Sequence, residues 1–273
     1  MTELIGNDDF RLPKIGHINY LNCWPITYPL MQINLPFQLA LGNPQELNNR
    51  YASGELKAGA MSSFHFLISE TSDDPFILMP DLSISSFGKV GSVLLISKIG
   101  FNFTADSIIE ITSQSLTSVN LLKILILEKI GFLPILKVAN QPNLDNSQAI
   151  LVIGDEALSF VVQNNLEIYD LGQLWFEKFK LPMVYGIWGY RQSFYQQNRH
   201  KVEVISAKFH EALLMGQGEL KAEVIETAVA KTNYSSRKLS QYFYQLLNFN
   251  MNQEHRDGLA QFKSLCIKYK LLN

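Results

Sequence analysis

Met183–Tyr190 reads MVYGIWGY, a run of apolar and aromatic residues of the kind that forms buried strands. Its place in the chain decides the fold. Upstream, short apolar runs alternate with helical patterns: Lys14–Tyr20 and Phe37–Leu41 predict strands, and Pro44–Ser53 predicts a helix with proline early and glutamate just inside. Lys57–Met61 predicts a strand, Phe64–Glu70 a helix and Leu82–Ser85 a strand, before the uninterrupted Val93–Ser97 (VLLIS). The scheme then repeats. Ile109–Thr112 predicts a strand, Val119–Ile130 an apolar helix stopped at Gly131, Ala149–Ile153 a strand and Ala157–Asn164 a short helix. MVYGIWGY then leads back toward the first unit.

Strands joined through helices imply parallel βαβ units covered on both faces. Two such units sharing connecting strands predict an α/β protein of two lobes with a cleft between them. The predicted division is 1–93 with 190–273 as the first lobe and 94–189 as the second, with hinges at Leu94–Ser97 and Val184–Gly189. From Gln192 onward the chain predicts helices at Gln196–Gly216, Leu220–Lys231, Ser235–Leu247 and Asn252–Leu271, a helical C-terminal region.

Composition narrows the function. The 273 residues are 47% hydrophobic, with 23 Lys and Arg against 25 Asp and Glu, so no basic excess supports nucleic-acid binding. Cys23 and Cys266 stand far apart, and His17, His65, His200, His210 and His255 have no metal-protease spacing, so no metal is expected. The N-terminal MTELIGNDDF lacks the basic-then-apolar order of a signal peptide, and no stretch reads as a membrane span. The expectation is a cytoplasmic protein without a membrane partner. A homodimer through the exposed face of the C-terminal helices is one expectation for its assembly.

In open α/β sheets, ligands sit beyond strand ends, at helix N-termini. Those places recur here with short hydroxyl, amide and acidic side chains: Asn22, Ser62 and Ser63, Ser85 and Ser86, Ser113, Ser115, Thr117 and Ser118, then Asp155 with Glu156. Together with free backbone N–H groups they predict a pocket for a small carboxylate that needs no arginine. Taken singly, each also serves as an ordinary cap or turn. Gly154-Asp155-Glu156 lacks a dinucleotide-loop pattern, and Ser92 lies in no G-x-S-x-G elbow. Trp24, Trp175 and Trp188 predict packing, His17 and His65 structural roles, and Cys23 a buried thiol.

The motifs extend further when read in order: IGHINYLNCWPI (Ile15–Ile26), PQELNNRYASGELKAGAMSS (Pro44–Ser63), PDLSISSFGKVGSVLLIS (Pro80–Ser97), TSQSLTSVNLLKILI (Thr112–Ile126), LVIGDEAL (Leu151–Leu158) and YDLGQLWFEKFKLPMVYGIWGYR (Tyr169–Arg191). Together they closely resemble the chorismate dehydratase family of the futalosine route to menaquinone. The resemblance implies a type II periplasmic-binding-protein-like fold used as an enzyme. It further implies dehydration of chorismate to 3-[(1-carboxyvinyl)oxy]benzoate, with no cofactor. The sister enzyme of that route opens with an S-x-C-P-N-D-T-like segment, whereas Asn19–Pro25 here reads NYLNCWP, which favours the dehydratase branch. On this basis Asn22 and Ser86 are the candidate catalytic residues, bonding the leaving hydroxyl or the ether side chain. Ser62 with Ser63, and Ser113–Ser118, are candidates for one carboxylate each, with Ser85 and Asp155 as further substrate contacts. No protein base stands out, and the resemblance permits the substrate's own side-chain carboxylate to take the proton. One departure is plain: after Ser85-Ser86 the family pattern continues Asp-Gly-Pro, and this chain has Phe87-Gly88-Lys89. An altered charge balance there leaves open a non-catalytic binder of a related carboxylate.

Overall fold

The structure, a computed structural model, describes residues 12–161 and 163–272. The first lobe opens with β1 (Lys14–Ile18), a 3-10 turn (Leu21–Cys23), α1 (Trp24–Leu30), β2 (Gln38–Gly42), α2 (Pro44–Ala52), β3 (Ala58–Ser62), α3 (Ser63–Ser69) and the long β4 (Phe76–Ser86). The second holds β5 (Val93–Lys98), β6 (Ile108–Ile111), α4 (Leu116–Ile130), β7 (Ile135–Val138), β8 (Ala149–Ile153), α5 (Gly154–Ser159), β9 (Leu166–Asp170) and α6 (Leu171–Phe179). The chain returns through β10 (Met183–Arg191) to α7 (Gln192–Gln197), α8 (Arg199–Gln217), α9 (Lys221–Lys231), α10 (Ser236–Gln241), a π-helical turn (Tyr242–Leu246) and α11 (Gln253–Lys268). Among the described residues, no helix is long and apolar enough to cross a membrane.

Among the described residues two five-stranded sheets result, ordered β2-β1-β3-β10-β4 and β7-β6-β8-β5-β9. Neither is purely parallel, which corrects one expectation: β10 runs antiparallel to β3 and β4, and β5 antiparallel to β8 and β9. The strands that cross between lobes enter their new sheet against its direction. Because β10 is hydrogen-bonded within the first sheet, residues 183–189 belong with that sheet and not with the second, as the boundary at 189 had it. The proposed hinges lie inside those two ladders and are held by them. The links between the sheets are 87–92 and the segment carrying α6.

Local chemistry explains most elements. Asn43 caps α2 in a reciprocal box with Glu46, with Pro44 at the first helical position. Gly131 closes α4 in the left-handed region at φ 82°. Gly59 lets β3 approach β1, because a Cβ there would lie 2.2 Å from the Gly16 carbonyl oxygen. Two expected helices are interrupted. Asn198 separates α7 from α8, its side-chain amide donating back to the Phe194 carbonyl, and the segment after α10 widens into the π turn. All three tryptophans are buried, as are His17 and Cys23.

A carboxylate ties the second lobe to the C-terminal helix. Glu128 of α4 accepts from Lys268 at 2.6 Å and from the Tyr269 hydroxyl, both at the end of α11, and pairs with Lys178 of α6 at 3.1 Å. The Lys268 bond first, then those of Tyr269 and Lys178, hold the Glu128 carboxyl down at about 2. A depressed carboxylate stabilises the fold above its unfolded value, and that stability is lost as pH falls toward the folded value. Lys268 is 57% exposed, so solvent screening limits the contribution to about 1 kcal/mol. Glu128→Gln is therefore expected to lower stability by about 1 kcal/mol at neutral pH and to flatten the acid limb of a denaturation–pH series in the window between the ordinary carboxylate range and about 2. An unchanged acid limb would discount the clamp.

Candidate functional site

Between the two sheets lies a partly open hollow of about 630 Å³, counted with the solvent at its mouth, lined by strand ends and helix starts together with Ile84 of β4. The β1–α1 junction contributes Ile18, Tyr20, Asn22 and Cys23, and α2 its first residue, Pro44. Ser62 arrives as the N-cap of α3, accepting from the His65 N–H at 3.2 Å. The second lobe adds Ser115, the N-cap of α4, and Ser118 in its first turn, joined by a 2.9 Å hydroxyl–hydroxyl bond. Ile153 and Gly154 bring the start of α5. The crossing and return segments supply Val90, Ser92, Val93, Tyr185 and Gly186. Leu247 closes the ring just past the π turn.

Four predicted residues thus share the hollow: Asn22, Ser62, Ser115 and Ser118. The Asn22 side-chain oxygen is buried and without a partner, an acceptor waiting for a donor. The others fall outside the lining. Ser85 is consumed by the chain at Asn248, donating to its carbonyl at 3.0 Å. Ser86 is fully buried behind the wall, donating to the Gly88 carbonyl at 3.0 Å. Ser63 is buried with an unpartnered hydroxyl. Thr117 accepts the Phe64 N–H at 3.0 Å and so bolts α4 to α3 across the cleft. Ser113 and Asp155 are exposed; of the Asp155–Glu156 turn, only the preceding Gly154 reaches the hollow.

Among the described residues, the lining carries no charged side chain. Its titratable groups are all held neutral. Burial lifts the Cys23 thiol to about 12, which removes it as a nucleophile. Burial, then the charges of Asp155 and Glu46, lift Tyr20 to about 12. Positive potential comes instead from backbone. The first intrahelical bond of α4 runs from Val119 to Ser115, and the Ser118 N–H goes to the Ser115 side chain. The Leu116 and Thr117 N–H groups have no intrahelical acceptor, as at any helix start. Such a hollow can hold a small anion, bond its hydroxyl or ether oxygens, and exclude water; it offers no side-chain base.

The lobes close over it. Tyr20 donates to Gln114 at 3.3 Å across the mouth, and Tyr242 donates to Ser92 at 2.9 Å. From the C-terminal region, Tyr234 donates to the Asp155 carbonyl at 2.7 Å and Lys238 to that of Leu158. The departing segment Phe87-Gly88-Lys89 lies elsewhere. Phe87 packs edge-on against His255 at 5.0 Å, and Lys89 lines an outer groove with Asp170, Gln173 and Glu177. Its charge therefore does not enter the cavity.

Fold and cleft together define a periplasmic-binding-protein-like fold with a hollow between its two lobes. The structure aligns with a protein of Archaeoglobus fulgidus at a TM-score of 0.76, with 16% identity over 94% of this chain and 97% of that one. It aligns with the periplasmic aliphatic sulphonate binding protein SsuA of Escherichia coli at 0.64, with 12% identity over 96% and 88%. At such identities the likeness is one of fold. Sequence carries the assignment further: residues 13–268 match the family described as menaquinone biosynthesis, and the chain belongs to that family. A chorismate dehydratase of Thermus thermophilus is 28% identical over 266 residues, covering 91% of this chain and 93% of the relative.

Proposed function

We propose that the protein is a chorismate dehydratase, a hydro-lyase that converts chorismate to 3-[(1-carboxyvinyl)oxy]benzoate and water in the futalosine route to menaquinone, acting in the cytoplasm without a cofactor. The observation that carries this reading is a hollow between the lobes whose described lining residues are all neutral, with hydroxyl-bearing helix starts on both lobes. Chorismate is a dianion with a carboxylate on its ring and another on its side chain. Ser62 at α3 and Ser115 with Ser118 at α4 stand on different lobes, so a guest touching both favours the closed form over the open one.

The reaction removes a proton from the ether-bearing ring carbon and hydroxide from its neighbour, and the ring becomes aromatic. Aromatisation supplies the driving force, so orientation and exclusion of water are the protein's main contributions. Among the described residues, no carboxylate, imidazole or amine lines the cavity. That supports the side-chain carboxylate of the substrate as the base. Asn22 offers its unpartnered oxygen to the ring hydroxyl, fixing which bond lies in line to break. The Phe87-Gly88-Lys89 departure, being outside the cavity, gives no support to a non-catalytic binder.

The test is direct. Purified protein incubated with chorismate is expected to yield 3-[(1-carboxyvinyl)oxy]benzoate, followed by liquid chromatography with mass detection. Tight chorismate binding with no product overturns the lyase reading in favour of a binder.

A further inference from the structure

We propose that Tyr185 is a catalytic residue, the hydroxyl that meets the departing oxygen of the substrate, and that Ser86 acts through it as a positioning residue. The inference rests on the dehydratase reading and deepens it.

Its basis is a break in a ladder. Strand β10 pairs Val184 with Ser85 and Gly186 with Ile84, so Tyr185 is an extra residue opposite none. Such a bulge turns a side chain out of the strand's regular alternation, and bulges gather beside active sites. Here the bulge places Tyr185 in the cavity wall, half-buried, while its neighbours Met183 and Val184 remain in the core. Ser86 lies one layer behind, with no accessible surface. Its hydroxyl donates to the Gly88 carbonyl at 3.0 Å and lies 3.4 Å from the Tyr185 oxygen, a contact in which either hydroxyl can be the donor. Gly172 makes room for this cluster: a Cβ there would lie 2.5 Å from the Gly88 carbonyl oxygen, 2.7 Å from the Tyr185 oxygen and 2.8 Å from Ser86 Oγ. Burial, with the Asp170 charge second, keeps the phenol protonated, so it is a donor at any working pH.

The step balances without an added reactant. The ring C–H bond breaks, its proton passing to the side-chain carboxylate and its electron pair into the ring. The C–O bond breaks and its pair stays on oxygen, which the Tyr185 O–H stabilises by donating a hydrogen bond. Ser86 turns its proton from Gly88 to the Tyr185 oxygen, polarising the phenol as charge develops. The carboxylic acid then returns its proton to the hydroxide, water leaves, and Tyr185 ends as it began.

Tyr185→Phe keeps the ring and removes the donor. With chorismate as substrate, kcat is expected to fall about 100-fold, the effect of deleting one preorganised donor, with KM within about threefold and an unchanged melting temperature. Ser86→Ala is expected to cost about tenfold in the wild type and nothing further in the Tyr185→Phe background, since a residue acting through Tyr185 has no route left. Wild-type turnover by Tyr185→Phe, or multiplying losses in the double variant, overturns the proposal alone. Absence of product from the wild type overturns the dehydratase reading first, and is seen before any variant is made.

Discussion

Asp170→Ala is expected to lower stability by about 3 kcal/mol and to reduce turnover with it. Asp170 ends β9 and caps α6, accepting the Gln173 N–H at 3.1 Å. The same carboxylate accepts the Val90 N–H at 3.1 Å and the Gly91 N–H at 2.7 Å. Val90 and Gly91 belong to the first connection between the lobes, and α6 to the second. One side chain therefore pins both crossings to each other. Its loss removes a helix cap, costing about 1 kcal/mol, and leaves two part-buried N–H groups short of an acceptor at about 1 kcal/mol or more each. For a chain of this size the melting temperature should fall by roughly 6–9 °C. Catalysis should suffer beyond stability, because the pinned Val90 lines the cavity together with Ser92 and Val93, which follow it directly. Asp170→Asn keeps one acceptor oxygen and is expected to fall between the wild type and the alanine variant. A melting point for Asp170→Ala within about 2 °C of the wild type would remove the pin from the account.

Asp170 also marks where sequence reasoning stops. The apolar runs at β1, β3, β5 and β8 are plain because both faces of those strands are buried, so the pattern needs no knowledge of neighbours. Strands β7 and β9 are not plain. Ile135–Val138 is an edge strand with mostly exposed side chains, and Leu166–Asp170 is half-buried along its length, so only their partners make them strands. Parallel or antiparallel sense is likewise a property of partners. In the site, Ser62 and Ser115 were legible because capping is local chemistry, and Asn22 and Ser118 because short polar side chains stand beside those helix starts. Ser85 and Ser86 look equivalent in sequence but are claimed by Asn248 and Gly88, contacts that the fold alone creates. Tyr185 was hidden in a strand whose alternation gives no sign of an extra residue. The signal that was present is glycine: Gly186 and Gly189 each adjoin a register shift, and glycine within a strand often marks a bulge.

Ser118→Asp tests the central electrostatic claim. Ser118 lines the cavity in the first turn of α4 and is 4% exposed. The N-terminal field of α4 favours an acidic residue by about 0.3–1 kcal/mol, which offsets part of the cost of placing a carboxylate at a nearly buried position. Its effect on the guest is opposite. Two like charges about 4 Å apart repel by roughly 4 kcal/mol in a protein surface environment, which corresponds to two to three orders of magnitude in affinity. The variant should therefore lose only a few degrees of melting temperature, about 1 kcal/mol, while KM for chorismate rises at least about 100-fold. Ser118→Asn, of similar size and uncharged, separates charge from shape: loss of one neutral hydrogen bond, about 1 kcal/mol, predicts a rise of only a few-fold. The helix starts that cradle an anion also hold the introduced carboxylate ionised, so the penalty should persist through neutral pH and relax only toward acid, as that carboxylate protonates. Equal KM values for the aspartate and asparagine variants at neutral pH would show that the guest's charge is not what the α4 terminus recognises, and the anion cavity would have to be abandoned as the basis of binding.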